Sequence, residues 1–172
     1  MNKEHDEILQ NTFPWLKRPE KPESQTYDRN LTLYENFGFE CSDGWFQLLY
    51  DLNKEIADRY AEEGKEVDIK IKQIKSKWAH LCFYYSTPGQ DAGIQAIDGI
   101  GGAGIRFYPE NDGNQLYQDI AQIVRKYEQD ISKKTCEWCG QPGSLRKGTW
   151  VYTLCDSCYE QLTKNKRNSC NR

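Results

Sequence analysis

The chain has 172 residues, 37% hydrophobic and 28% charged, with a formal net charge of −3. That composition supports one compact domain with a small appendage and excludes a wholly disordered chain or a protein coated in nucleic acid. No apolar run approaches the ~20 residues that span a bilayer, and the charged start lacks the apolar core of a secretion signal, so no membrane partner and a cytoplasmic location are expected.

The charge is unevenly spread. Residues 1–132 carry 15 Lys/Arg against 23 Asp/Glu, a net of −8, and residues 133–172 carry 8 against 3, a net of +5. A basic end on an acidic body predicts two surfaces with different partners. Residues 1–30 read as an N-terminal arm. Residues 3–10 could form one or two helical turns, and Pro14, Pro19 and Pro22 speak against regular structure through 22. Phe13, Trp15 and Leu16 are too apolar for a free tail and are expected to dock, while His5 is expected in solvent.

Residues 31–132 read as the body. Trp45, Leu49, Leu52, Ile56 and Tyr60 recur at steps of three and four, which predicts a helix over 44–63, capped by Ser42 or Asp43 and stopped by Gly64. Val67, Ile69 and Ile71 then alternate with charged residues, and the alternation slips at Ile74, a sign of a bulge or a strand end. Leu81, Phe83 and Tyr85 alternate next, and the short connection between the runs predicts an antiparallel pair. A Gly-rich loop covers 87–104, Ile105–Tyr108 could be a third strand, and a second helix is predicted over 115–132. The fold class read from this order is α+β: two helices packed on a small, mainly antiparallel sheet, followed by a C-terminal four-cysteine treble-clef zinc finger.

That finger occupies residues 133–172 and ends in a basic helix or tail. Its ligands are Cys136, Cys139, Cys155 and Cys158, two Cys-x-x-Cys pairs fifteen residues apart. Each pair grips the ion from one local turn, and four thiolates satisfy tetrahedral Zn²⁺. Gly140 and Pro142-Gly143 supply turns, Leu145 to Leu154 read as a hairpin around Lys147-Gly148, and the second pair opens a helix. About forty residues cannot build an adequate core unaided, so the zinc is structural. Redox chemistry would explain one pair but not two.

The stretch Cys136-Glu137-Trp138-Cys139-Gly140-Gln141-Pro142-Gly143, with Trp150 and Thr153-Leu154-Cys155-Asp156, resembles the C-terminal finger of uncharacterised small proteins of phages and bacteria. Gly38 to Trp45 and Leu81 to Tyr85 are similar to further segments of that group. The resemblance implies a zinc-ribbon-like end, a phage origin, and hence the host cytosol. It implies no catalytic residue.

Other patterns carry weaker signals. Gly99-x-Gly101-x-x-Gly104 matches a dinucleotide fingerprint by letter, but a strand rather than a helix is expected after it. His80 and Cys82 share a strand face, without a residue to orient the imidazole. Lys70, Lys72, Lys75 and Lys77 cluster near Trp78, and Arg146, Lys147, Lys164, Lys166 and Arg167 make the finger basic; these are the candidate contacts to nucleic acid or to a partner. Three functions follow. The first is a non-enzymatic zinc-binding interaction protein with a protein partner, a phage-encoded inhibitor or modulator of a host defence complex. The alternatives are a nucleic-acid-binding protein using the basic finger, and a nuclease-like enzyme drawing on acidic residues such as Glu40, Asp43, Asp51, Asp91 and Asp98.

Overall fold

The structure of the protein is a computed structural model. It describes residues 1–20, 26–89, 96–98, 104–106, 113–148 and 150–170, of which 96–98, 104–106 and 165–170 are described by backbone only. Among the described residues it is a mixed α/β protein with five α-helices and three small sheets.

The first segment folds more fully than its prolines suggest. Helix α1 (Lys3–Thr12) is capped by the Asn2 side chain, which accepts the His5 N–H at 2.9 Å. Pro14 then opens a 3₁₀ turn, Pro14–Leu16. Proline fits there because the first helical N–H has no intrahelical acceptor to lose. Leu9, Phe13 and Leu16 are buried in the main core. The Trp15 indole donates to Asn53 at 2.9 Å, and the Tyr34 hydroxyl donates to the Leu16 carbonyl at 2.7 Å. His5 is not simply solvated, as its place in the arm suggests. It stacks on Phe46 at 4.2 Å and lies 3.5 Å from Asp43.

Helix α2 (Leu33–Phe37) begins with a capping box from Thr32 and Glu35. Strand β1 (Phe39–Glu40) and a 3₁₀ turn, Asp43–Trp45, lead into helix α3 (Phe46–Glu62). Every residue of the predicted apolar stripe is buried. The capping expectation is corrected: neither Ser42 nor Asp43 caps α3 through its side chain, because the 3₁₀ turn intervenes. Gly64 ends the helix region at a φ of 63°, donating to the Ala61 carbonyl at 2.9 Å.

Strand β2 (Lys70–Lys77) starts later than the alternation implies, and β3 (His80–Ser86) pairs with it antiparallel. The register shifts between Ile71 and Gln73. That bulge explains the slip read in the sequence: one extra residue returns Ile74 to the face that Ile71 already occupies. The sheet order is β1-β2-β3, with β1 parallel to β2.

The expected strand after the Gly-rich segment does not extend this sheet. Strands β4 (Ala96–Asp98) and β5 (Gly104–Arg106) form their own antiparallel pair, and most of the Gly-rich loop lies outside the described residues. Side chains take the edge of β3 instead. Ser132 Oγ accepts the Leu81 N–H at 3.1 Å, and Glu128 Oε1 accepts the Phe83 N–H at 2.6 Å. Both come from the far end of helix α4 (Gln115–Lys126), which continues as a π-helical turn, Tyr127–Ile131, and a 3₁₀ turn, Ser132–Lys134. Ser132→Ala removes an acceptor from a buried edge N–H. It is expected to cost about 1–3 kcal/mol in chemical denaturation.

Helices α3 and α4 pack together through Arg59–Asp119 at 2.8 Å and Lys126–Glu55 at 2.5 Å. The body therefore has more helices than the two expected, since α1 and α2 accompany α3 and α4. At one end, Tyr60 and Tyr117 donate to the two oxygens of Asp68 at 2.6 and 2.9 Å. Burial, with the Asp68 hydrogen bond, pushes the Tyr117 phenol up to about 12 and raises Tyr60 further. Below the ordinary tyrosine value of about 10 both phenols keep their protons, folded or unfolded, and the contribution is complete. Above about 10 the unfolded chain releases protons that the folded chain retains, so stability falls as pH rises toward 12. Tyrosinate absorbance at 295 nm is expected to appear in two stages, the second coincident with unfolding. A single transition near pH 10 from the folded protein would contradict this.

Candidate metal centre

The four-cysteine region is assembled from a knuckle, a hairpin and a helix. Thr135 bridges to Pro142, and the Cys136 N–H donates to the Gln141 carbonyl at 2.8 Å. Gly140, at a φ of 76°, donates back to the Cys136 carbonyl at 2.9 Å. The tight reversal turns the first Cys-x-x-Cys pair toward one side, and only glycine takes that φ without strain. Strands β6 (Ser144–Arg146) and β7 (Tyr152–Leu154) return the chain. Cys155 precedes helix α5 (Asp156–Cys170) and Cys158 sits in its first turn, where its N–H approaches Cys155 Sγ at 3.5 Å.

The four sulfurs all lie within 4.8 Å of one another, and Cys139 Sγ is 3.6 Å from Cys155 Sγ. Sulfurs about 2.3 Å from one tetrahedral ion stand about 3.8 Å apart, so the spacing suits a shared metal ion. The Ser157 hydroxyl, 3.2 Å from Cys155 Sγ, leads in drawing that thiol down to about 6, while burial pushes the Cys158 thiol up. A dication at the centre would favour the thiolate in both. Leu154 is buried in one cluster with Cys136 and Cys158, against which Trp138, Tyr152, Tyr159 and Leu162 pack.

This unit is bolted to the body by contacts that the motif does not reveal. Glu137, between the first two cysteines, is 3% exposed. Its Oε1 accepts the Thr153 N–H and its Oε2 accepts the Ser76 hydroxyl, each at 2.8 Å, while its carbonyl accepts the Gly44 N–H at 3.0 Å. One residue thus ties together the knuckle, β7, β2 and the entry to α3. Thr153 Oγ1 donates to the Ala79 carbonyl at 2.8 Å, and the Trp45 indole donates to the Thr135 carbonyl at 3.0 Å. Gly44 faces the knuckle backbone so closely that a Cβ there would lie 2.4 Å from the Cys136 oxygen and 2.6 Å from the Cys139 nitrogen. A glycine opening a helical turn is the one sequence sign of this contact; Glu137 and Thr153 leave none.

No family model, no curated protein and no solved structure matches the chain.

The predicted basic contacts meet different partners. Lys70 lies 3.7 Å from Glu35, and Lys75 sits over the Tyr84 ring at 5.5 Å. Arg146 is committed to the finger: Nε donates to the Leu154 carbonyl at 3.2 Å, another guanidinium nitrogen pairs with Asp156, and the group covers the Tyr159 ring. Lys164 is paired with Glu160 at 3.7 Å, and Lys147 is exposed. Lys72 borders a cavity of about 340 Å³ with Asp68, Lys70 and Ser86. The side chains of Lys166 and Arg167 lie outside the described residues, as do Gly99 and Gly101 of the glycine motif. Lys77 and Trp78 line a larger cleft of about 600 Å³ between the sheet and the finger, with Glu40, Trp150 and Tyr152. His80 Nε2 does meet Cys82 Sγ, at 3.7 Å, but Cys82 is buried and burial holds the His80 pKa below its ordinary value. Among the described residues no helix is long and apolar enough to cross a membrane.

Proposed function

We propose that this chain is a non-enzymatic, zinc-stabilised interaction protein. The observation that carries the proposal is the convergence of the four cysteine sulfurs within 4.8 Å. Soft sulfur donors in a closed set of four suit Zn²⁺, and four thiolates leave no position for a reacting water. The order of knuckle, β6–β7 hairpin and α5 supports reading the unit as a treble clef. The role of the zinc is then mechanical. It holds a rigid end against the β2–β3 sheet, and the seam between them becomes a surface for a partner. A protein partner is favoured over nucleic acid because Arg146, Lys70 and Lys164 engage neighbouring groups within the chain. That the partner is a host complex targeted by a phage rests on the resemblance in three sequence blocks.

Two measurements on one sample test this reading. Elemental analysis is expected to give one zinc per chain, and Co²⁺ substitution the absorption of a tetrahedral tetrathiolate. A salt titration against single- and double-stranded oligonucleotides is expected to show no binding at 50 mM salt. Log K falling by about 0.7–0.9 per phosphate contact with log salt would move the function to nucleic acid instead.

A further inference from the structure

The cleft between sheet and finger has features that the metal site does not use. Its apolar wall is aromatic: Trp78 and Trp150 line it and are 55% and 73% exposed, unusual for the largest side chain, and Tyr152 lies beside them. Trp78 is also held at a cost. The two-residue turn joining β2 to β3 is Trp78-Ala79, at φ 52° and 63°. Such turns favour Asn-Gly, because side chains strain in the left-handed region. The turn is fixed by Ala79, which is buried and whose carbonyl receives the Thr153 hydroxyl from the finger. Strain maintained by surrounding contacts, with its side chain delivered into a cleft, marks a functional position.

The charge of the cleft selects the occupant. Its lining contains two carboxylates, Glu40 and Glu137, against one ammonium, Lys77. Glu40 is exposed and one of its oxygens accepts from Gln73 at 2.6 Å. A carboxylate has about four acceptor positions, so the exposed Glu40 retains capacity, while both oxygens of the buried Glu137 are engaged by Thr153 and Ser76. A nucleobase would stack on the tryptophans but would bring a phosphate to this excess of negative charge. A guanidinium suits both parts of the wall: it lies flat on aromatic faces and forms paired hydrogen bonds to a carboxylate.

We propose that this cleft receives an arginine side chain from a partner protein, stacked against Trp78 and Trp150 and paired with Glu40. The proposal rests on the zinc-held reading above, since Trp150 and Tyr152 are positioned by the finger. The test follows the five tryptophan indole N–H signals of the zinc-loaded full chain by NMR. The probe is acetyl-Gly-Arg-Gly-amide at millimolar concentration, and the Trp78→Phe and Trp150→Phe variants assign the signals. The arginine peptide is expected to shift those two signals and leave the other three. The isosteric citrulline peptide is expected to bind about tenfold more weakly, as is the arginine peptide to Glu40→Gln. Equal shifts from citrulline, or no shift from either peptide on folded protein with one zinc per chain, would overturn the proposal while leaving the metal reading intact. Octathymidylate moving the same two signals more tightly than the arginine peptide would overturn it in favour of base stacking. Metal-free protein that is fully folded, with both indoles still responding to arginine, would uphold the cleft and reject the zinc.

Discussion

Stripping the metal, or replacing one ligand by Cys136→Ser, is expected to unfold residues 133–164 and to lower the melting temperature by at least ~10 °C. The finger has a small core of its own: Leu154 with the buried Cys136 and Cys158, and the aromatics around them. The free energy of structural zinc binding, ~10–16 kcal/mol in small finger peptides, is comparable to the whole stability of an ordinary domain. The loss should also spread inward. Glu137 and Thr153 would leave with the finger, so on the body the Gly44 N–H, the Ser76 hydroxyl and the Ala79 carbonyl would lose their partners. Near-UV circular dichroism of the tryptophans and hydrogen exchange at the N-terminus of α3 read that spread directly. The expected result is lost near-UV signal together with faster exchange around Gly44 and Trp45, reversed by one equivalent of Zn²⁺. Metal-free protein with an unchanged melting curve would refute the structural role.

Gly44→Ala is expected to have the second-largest effect, although it adds only one methyl group at a position outside the four cysteines. The new Cβ would meet backbone atoms, the Cys136 oxygen at 2.4 Å and the Cys139 and Gly140 nitrogens at 2.6 Å. Backbone cannot rotate away as a flexible side chain would. Either the knuckle retreats, opening the Gly44–Glu137 hydrogen bond, or the entry to α3 shifts and Trp45 loses its bond to Thr135. Overpacking of this kind costs about 1–3 kcal/mol, and more where the clash is with backbone on both sides. A displaced knuckle also misplaces Cys136 and Cys139, so zinc affinity is expected to fall about 10–100-fold, as when supporting contacts around a metal are removed. Competition with a chromophoric chelator measures this. Gly64→Ala is the comparison: that glycine, unlike Gly44, has positive φ, but a Cβ there would meet no atom within 4 Å, so zinc affinity should not change. Equal zinc affinities for wild type and Gly44→Ala would show that the finger does not depend on its seat.

The two glycines show where reading a sequence succeeds and stops. Gly64 is legible because its role is local, ending a helix whose stripe of Trp45, Leu49, Leu52, Ile56 and Tyr60 has an obvious period. Gly44 hints at a close approach by being a glycine that opens a helical turn, but what it meets is not legible, because its partner lies about ninety residues away and close approach of two backbones leaves no periodic mark. The bulge at Ile71–Gln73 announces itself through the slipped alternation, a consequence of the two-residue repeat of strands. The identity of the third strand does not. Two residues of β1 carry no pattern, and only the docking of Glu128 and Ser132 against β3 decides that the later strands pair elsewhere.

The chain by itself determined the features that depend on neighbours in sequence: the amphipathic helices, the tight β2–β3 connection, and the two closely spaced cysteine pairs. Only the tertiary structure decided what those features meet. It joins Glu137 to Ser76, seats the knuckle on Gly44, buries Leu9, Phe13 and Leu16 of the first segment in the core, and turns Trp78 and Trp150 toward one cleft. Hydrogen-bonding reach and periodicity act over a few residues and are written locally. Close approach between distant segments depends on the shape of the whole chain, which no short stretch encodes.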